Sequence, residues 1–585
     1  MRIDFKNEDL AKILSKTKKK TLKITLIRLL VFFSLIPIFI LSVTDFPLLF
    51  LLLLMQLVFF IVLIIQFNAS KDKEAFIIEL IKMEEEKSLR KNRKLSSFDP
   101  GNEYQSKTHP FAIDLDLFGE HSLFQLLNHT VNRSAKAKLA ALMKENLNAD
   151  KAKVLKPAVD ELAENPDFLR SFEANGRAFI KEEKSKDKFY KWMDTRSNWK
   201  KLYFAPMIIG PVLGLSLVLG VAIGIFPLSF LSIWILFGLF SLSFVFKPLL
   251  EAGKIFPGSG DIKTYRIWSA DLAEHSFEDE YLKKHSKLFK NQNNIPKGLK
   301  TLEQVSFLIE NRINLMYLIF NILFWLDFFL FWKLEKWKKN YQGHLKELDS
   351  VFDHWQVLIS LGAFTSEEGL NGEINWTSEE KLEFADLKHP LLRREKAVAN
   401  DLDFAPAIQT VLLTGSNMSG KTTFMRTIGT NLVLANMGLR PFGKSLLIGP
   451  FQLYTSMRNM DNLGESVSSF YAELARIKQV LNAAENGQKV FFLMDEILKG
   501  TNTVDRIQGS EALIKQLANT GSKGIISTHD IELSALESSL SYLKNFSFHS
   551  EISDNEIHFD YKLKTGPCPS FNAHKLMELM GIKFS

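Results

Sequence analysis

The chain has 585 residues, 46% of them apolar and 24% charged, which excludes a disordered or collagen-like polymer and, at ~100–200 residues per domain, predicts two to four folding units. A single cysteine, Cys568, excludes an intramolecular disulfide framework and a cysteine-rich zinc site, and fits a reducing compartment. The balance of 73 basic and 66 acidic residues, net +7, requires no nucleic-acid partner, whereas 49 Phe exceed what a water-soluble enzyme needs and point to a part that dissolves in lipid.

Residues 1–23 form a basic segment with Lys16, Lys18, Lys19, Lys20 and Lys23. Residues 24–67 are almost wholly apolar, interrupted by Arg28 and, near the middle, by Thr44-Asp45 with Pro47. At about twice the ~20 residues that cross a bilayer, with a turn signal at its centre, this stretch predicts a transmembrane helical hairpin, 24–43 with 46–67. It is too long for a secretory signal, and no small-residue cleavage pattern follows. A basic linker, 68–109, carries Lys87, Arg90, Lys91, Arg93 and Lys94, which read as a solvated collar beside lipid headgroups, with nucleic-acid contact as the alternative. Residues 110–201 read as the first part of a helical core. The stretch 202–246 has no charged residue and Pro227 near its middle, predicting a second hairpin, 203–225 with 227–246. Lys200 and Lys201 precede it, Lys247 closes it, and neither short turn between paired helices carries Lys or Arg. The positive-inside rule therefore expects a multi-pass protein of the cytoplasmic (inner) membrane, with the N-terminus and every long segment in the cytoplasm. Residues 247–365 read as the second part of the core. Within them Leu315–Trp332 is apolar but holds Asn321 and Asp327, and the basic run Lys333–Lys339 follows.

The remaining residues, 366–585, contain the strongest chemistry. Gly415-Ser-Asn-Met-Ser-Gly420-Lys421-Thr422 is a G-x-x-x-x-G-K-[ST] string between a strand-like run, Gln409–Thr414, and a helix-like run, Thr422–Met437. Its glycines let the backbone wrap a phosphate chain, and successive amides with the helix N-terminus supply positive potential. The cradle comprises Gly415, Ser416, Asn417, Met418, Ser419, Gly420, Lys421, Thr422 and Thr423, with Lys421 on the β- and γ-phosphates and the Thr422 hydroxyl on Mg²⁺. The run Val490-Phe-Phe-Leu-Met-Asp495-Glu496 is a buried strand ending in two acids, which an apolar strand has no use for unless charge waits at its tip. Asp495 fits the Mg²⁺-side carboxylate and Glu496 the general base that polarises water. A third run, Lys523–Ser527, ends in Thr528-His529-Asp530, and His529 there reads as a γ-phosphate sensor. Three apolar strands with helices between them predict a parallel sheet whose carboxyl ends hold ATP and Mg²⁺. Cytoplasmic ATP is needed there, so 315–332 is expected to be a buried or membrane-lying helix and not a fifth span. The 12 His form no tight metal spacing, and no Gly-x-Ser-x-Gly elbow or internal repeat is present.

Together these strings resemble the MutS family of DNA mismatch-repair ATPases, within the ABC-type superfamily. Thr414-Gly-Ser-Asn-Met-Ser-Gly-Lys-Thr-Thr-Phe-Met-Arg426 resembles T-G-P-N-M-x-G-K-S-T-x-x-R, and Met494-Asp-Glu-Ile-Leu-Lys-Gly-Thr-Asn-Thr-Val-Asp505 resembles M-D-E-x-x-x-G-T-x-x-x-D. Ser468-Ser-Phe-Tyr-Ala-Glu473 resembles S-T-F-x-x-E, whose serine reaches the γ-phosphate of the other subunit, and Ser527-Thr-His-Asp530 resembles A-T-H-x. Upstream, Lys388-His-Pro-Leu391 and Ala399-Asn-Asp401 are similar to R-H-P and P-N-D; downstream, Tyr561-Lys-Leu-Lys-Thr-Gly566 and Lys575-Leu-Met are similar to the terminal segment. Ser122-Leu-Phe-Gln-Leu-Leu with Thr130-Val is similar to the start of the family's helical core. Ser416 replaces the usual Pro, Lys499 stands where Arg is common, and Ala397 stands where an aromatic often is, leaving Tyr561 to stack on the base.

The resemblance implies an α plus α/β chain: membrane hairpins, an all-α MutS-like core broken by the second hairpin, and a C-terminal P-loop ATPase domain. It also implies a homodimer in which Ser468 or Ser469 completes the other subunit's ATP site. The family's mismatch reader is an amino-terminal domain with a Phe-x-Glu wedge. Here the first 100 residues hold a hairpin and basic flanks, and 200–345 leave little room for a full DNA clamp, so direct mismatch reading is not expected. The expected activity is ATP hydrolysis coupled to DNA binding or remodelling at the bilayer, with no small-molecule substrate besides ATP. The rival is an ATP-driven membrane scaffold or signalling module that never touches DNA. A transporter ranks below both, because no charged residue lies deep in either hairpin.

Overall fold

The computed structural model describes residues 9–44, 49–180, 187–290, 295–341, 347–416, 418–458, 469–553 and 556–569. It is largely helical with two mixed sheets, and it divides into two compact units. One gathers residues up to 86 with 131–135 and 165–356; the other gathers 87–130, 136–164 and 357 onward.

In the first unit, four helices are long and apolar enough to cross a membrane. Leu10–Thr44 and Leu49–Lys91 run antiparallel, since the Thr21 and Ser70 hydroxyls meet at 2.7 Å and Gln56 Nε2 donates to Ser34 Oγ at 2.5 Å. Arg28, the charge that interrupts the first apolar run, lies over the Phe67 ring at 4.2 Å. The outer faces of the pair are apolar and exposed, as at Leu30, Phe33, Met55 and Ile65. Past the apolar part, the second helix continues to Lys91 and turns amphipathic. It buries Phe76 and Leu80 against Ala174, and its Glu84 and Glu86 pair with Arg170 and Arg177 at 2.8 and 2.7 Å. Behind that contact, Trp268 stacks on Phe172 at 4.4 Å and donates its indole N–H to the Phe172 carbonyl.

The second long pair, Phe204–Ala222 and Leu228–Ile255, explains the ambiguous 315–332 stretch. That stretch is not the single helix expected from its composition. It breaks at Trp325, whose φ is +55°, into Leu315–Phe324 and Leu326–Tyr341. Trp325 stacks on Trp234 at 4.4 Å and fills the space over Gly210, where a Cβ would stand 2.7 Å from it. Both limbs return to one end of the long pair: Arg312 lies over Phe246 at 5.5 Å, and Phe328 lies 5.8 Å from Tyr203. The polar residues that argued against a span are paired. Buried Asp327 accepts from Arg312 at 2.6 and 3.0 Å and from Tyr317 at 2.8 Å, while its amide donates to Asn321 Oδ1.

In the second unit, β1 (Glu373–Trp376), β2 (Leu382–Leu387), β3 (Asn400–Phe404) and β5 (Ser445–Ile448) form a sheet ordered β1-β5-β2-β3. The larger sheet contains β4 (Thr410–Gly415), β6 (Gln452–Ser456), β7 (Val490–Asp495), β8 (Lys523–Thr528), β9 (Leu543–Ser553) and β10 (Glu556–Thr565), ordered β10-β9-β4-β8-β7-β6. Residues 111–127 enter this unit because Phe111, Leu115, Leu117 and Phe124 are buried in the same apolar cluster as Val411, Leu432 and Phe491. Segment 110–201, read from sequence as one block of core, is therefore shared between the units. The basic collar also differs from expectation. Lys91 and Lys94 are exposed, but Arg90 and Arg93 turn inward. Arg93 makes a bidentate pair with buried Glu368 at 2.7 and 2.9 Å and donates to the carbonyls of Arg90 and Pro390. A planar guanidinium satisfied on several sides gains more there than in headgroups.

Candidate active site

The central strands β4, β7 and β8 are buried almost throughout, which is why they read as continuous apolar runs and not as alternating ones. Their parallel register aligns the three chemical strings. Thr414 lies opposite Thr528, and Asp495 opposite Ser527, so Gly415, Glu496 and His529 all emerge at the carboxyl edge of one sheet.

The loop after β4 reverses through Gly415 (φ +153°), Met418 (+68°) and Gly420 (+106°), and Gly420 caps the helix Lys421–Asn436. A Cβ on Gly420 would be strained by that φ and would come 3.1 Å from the Tyr561 ring. Lys421 is buried and donates to the carbonyls of Gly415 at 2.8 Å and Ser416 at 3.0 Å. Burial pushes its ammonium pKa down, against the upward pull of Glu496 and Asp495. Among the described residues, the hydroxyls of Ser416 and Ser419 are buried without a hydrogen-bond partner. Buried donors left unmatched inside a glycine-rich loop suit the oxygens of a phosphate chain. Asn417 lies outside the described residues.

Thr422 Oγ1 donates to Asp495 Oδ2 at 2.5 Å, and the Ser527 hydroxyl holds the other carboxylate oxygen. This pairing of a hydroxyl and a carboxylate is the hard-oxygen donor set that Mg²⁺ takes alongside phosphate oxygens. Glu496 stands at φ +49°, with its amide anchored on the Ser527 carbonyl at 3.0 Å. Its carboxylate is gripped by His529 Nε2 and by the Lys499 ammonium. Burial pushes the Glu496 carboxyl up, but the hydrogen bonds and charges of His529 and Lys499 outweigh it and hold the pKa at about 2.

These residues face a cleft of about 470 Å³ that Ser419, Lys421, Thr422, Thr423, Glu496 and Tyr561 help to line. Two further wall residues, His389 and Asn400, lie in strings whose similarity was visible but whose roles were not. Asn400 fixes the Tyr561 strand by donating to the Tyr561 carbonyl at 3.0 Å and accepting from the Leu563 amide at 2.8 Å. Burial, with Arg426 and His121 nearby, drives the His389 pKa down to about 3, so it presents a neutral ring. Ala397 faces a neighbouring hollow instead. Ser469 opens the helix Ser469–Glu485, while Ser468 and the segment at Lys575 lie outside the described residues. Glu473, the last residue of the same string, accepts from the Leu498 amide and so ties that helix to the loop after β7.

Residues 411–582 match the family model for MutS domain V. The chain is 33% identical over 195 residues to the DNA mismatch repair protein MutS of Bacillus pumilus, covering 32% of this chain and 22% of that protein. Against the protein of the same name from Bacillus cytotoxicus it is 29% identical over 247 residues, covering 41% and 27%. Against that from Aquifex pyrophilus it is 29% identical over 231 residues, covering 38% and 27%. The chain thus spans about a quarter of the length of these relatives, and its relation to the MutS family is carried by the C-terminal part.

Proposed function

We propose that this chain is a membrane-anchored, MutS-like ATPase that works as a homodimer and couples ATP binding and hydrolysis to DNA binding or remodelling. The observation that carries the ATPase reading is the convergence of Lys421, Thr422, Asp495, Glu496 and His529 on one sheet edge beside a cleft. Lys421 exchanges its two backbone carbonyls for phosphate oxygens, and the Ser416 and Ser419 hydroxyls gain acceptors. Mg²⁺, when bound, supplies charge neutralisation at the phosphates, with Thr422 and Asp495 as its protein ligands. Glu496 takes a proton from the attacking water while His529 orients the γ-phosphate side. Purified full-length protein in detergent should release phosphate from ATP only with Mg²⁺ present. Lys421→Ala should weaken nucleotide binding by about tenfold or more, and unchanged affinity in that variant would contradict the cradle.

For DNA, the support is the family relation of residues 411–582 alone. Binding to duplex and branched DNA that weakens steeply with salt is the expected outcome; no binding at low salt would leave an ATP-driven membrane module.

The membrane reading is supported by the outward apolar faces of the four long helices and by the basic residues flanking one side of each pair. The break at Trp325, with Arg312 and Phe328 at the same end of the neighbouring pair, supports a re-entrant wedge over a fifth span. Reporter fusions after Asn68, Lys247, Tyr341 and Ser585 should all report cytoplasm, and fusions at Asp45 and Phe226 the opposite side. Moving one charge across costs on the order of 3 kcal/mol on insertion scales, so the basic flanks fix this sense. An outside signal at Tyr341 would make 315–332 a span and overturn the wedge.

A further inference from the structure

Phosphate chemistry leaves one well-built group of charges unexplained, and it lies in the loop 110–119, outside the segment that matches MutS domain V. Asp114 has a fully buried side chain. It accepts from Thr455 Oγ1 at 2.7 Å, from the amides of Met457 and Arg458 at 3.2 and 3.1 Å, and from the Arg476 guanidinium at 2.7 Å. Two residues on, Asp116 stands at φ +50° and accepts from Arg426 at 2.8 Å and Arg458 at 2.5 Å. The loop is pinned at its start too, where the Thr455 amide donates to the Pro110 carbonyl at 2.9 Å.

The three arginines come from three elements of the nucleotide machinery. Arg426 lies little more than one turn beyond Lys421 on the P-loop helix. Arg458 follows the end of β6. Arg476 lies about two turns beyond Ser469 on the helix Ser469–Glu485. A fully buried carboxylate is an expensive way to hold a fold together, because well-packed apolar residues do so without the desolvation cost. What two carboxylates on one short loop provide instead is directional attachment: each bidentate or multi-donor contact fixes the angle as well as the distance between elements.

We propose that Asp114 and Asp116 form a clasp that sets the position of the helix Ser469–Glu485 according to the occupancy of the P-loop, with Asp116 as a positioning residue for ATP hydrolysis. The inference rests on the ATPase reading above. When phosphate oxygens draw Lys421 off the Gly415 and Ser416 carbonyls, the start of the P-loop helix adjusts. Arg426 carries that adjustment to Asp116. Asp116 shares Arg458 with the backbone that Asp114 holds, and Asp114 in turn holds Arg476. The helix Ser469–Glu485 is thereby linked to the nucleotide of its own subunit.

Asp116→Asn tests the clasp cleanly. The side chain is partly exposed, and Asn tolerates the left-handed backbone, so the variant removes the charge and keeps the shape. The readout is a fluorophore on Gln479→Cys, an exposed position on the same helix beyond the Ser468–Glu473 string, with native Cys568 buried. In the full-length detergent-solubilised protein, ATP should change the emission of the label. Asp116→Asn should bind a fluorescent ATP analogue within about twofold of the parent, lose that emission change, and turn over about tenfold more slowly. Arg458→Ala, a second and more exposed variant, should do the same, and Asp116→Asn/Arg426→Ala should be no slower than the slower single variant. An unchanged emission response and unchanged turnover in Asp116→Asn would overturn the clasp while leaving the ATPase reading intact. A parent protein that binds no nucleotide would overturn both.

Discussion

Glu496→Gln is expected to lose ATP turnover by about 10²-fold or more while keeping nucleotide affinity, because the amide fills the same space but accepts no proton. The geometry sharpens that expectation. His529 and Lys499 both grip the carboxylate, and together they hold its pKa near 2 against the upward push of burial. A carboxylate with that pKa is ionised throughout the neutral range, so the turnover of the parent should show no limb between pH 6 and 8 from loss of this base. The same depression makes Glu496 a feeble proton acceptor, since base strength falls with pKa. Grip and base strength therefore oppose each other at Glu496, so the Gln variant measures how much of the turnover depends on this carboxylate. Steady-state phosphate release with a parallel nucleotide titration decides the matter. Equal turnover would remove Glu496 from the role of base, and lost affinity would make it a structural member of the cleft.

Much of this site was legible because phosphate chemistry demands contiguous strings. A glycine loop, its lysine and its helix must be neighbours in sequence, and an apolar strand gains nothing from two acids at its tip unless a cation sits there. Parallel registry then brings 414 to 528 and 495 to 527 with no further information. The long apolar helices were legible for a similar reason, since their composition alone sets their length. What escaped was whatever depends on residues far apart in the chain. Asp114 and Asp116 meet arginines more than 300 positions away, and nothing local marks them as different from any surface acid. Arg93 reads as one more charge in a basic run until Glu368, 275 positions on, is placed beside it. The break at Trp325 is tertiary as well, because it exists only where Gly210 and Gly238 leave room for an indole. Composition announces a greasy helix there and has no means of announcing its bend.

Mixing Lys421→Ala chains with chains carrying Ser468→Ala and Ser469→Ala should restore turnover that neither population shows alone. In a heterodimer one cleft combines the mutated lysine with the mutated serines, and the other combines the intact lysine with the intact serines. Random pairing of equal amounts makes half the dimers mixed, each with one working cleft of two, so recovery should approach about a quarter of the parent's activity. One observation bears on how the helix Ser469–Glu485 is held. Glu473 ties it to the loop after β7, and Arg476 ties it to Asp114. A serine that served its own chain's phosphate would need its helix N-terminus beside Lys421; one that serves another subunit needs a helix braced on its own chain and free to point away. The experiment must include proof that mixed dimers form, for instance by pulling down one tagged population with the other. If they form and phosphate release stays at the level of the separate variants, each cleft is complete in one chain, and the clasp at Asp116 would then act within a subunit and not between two.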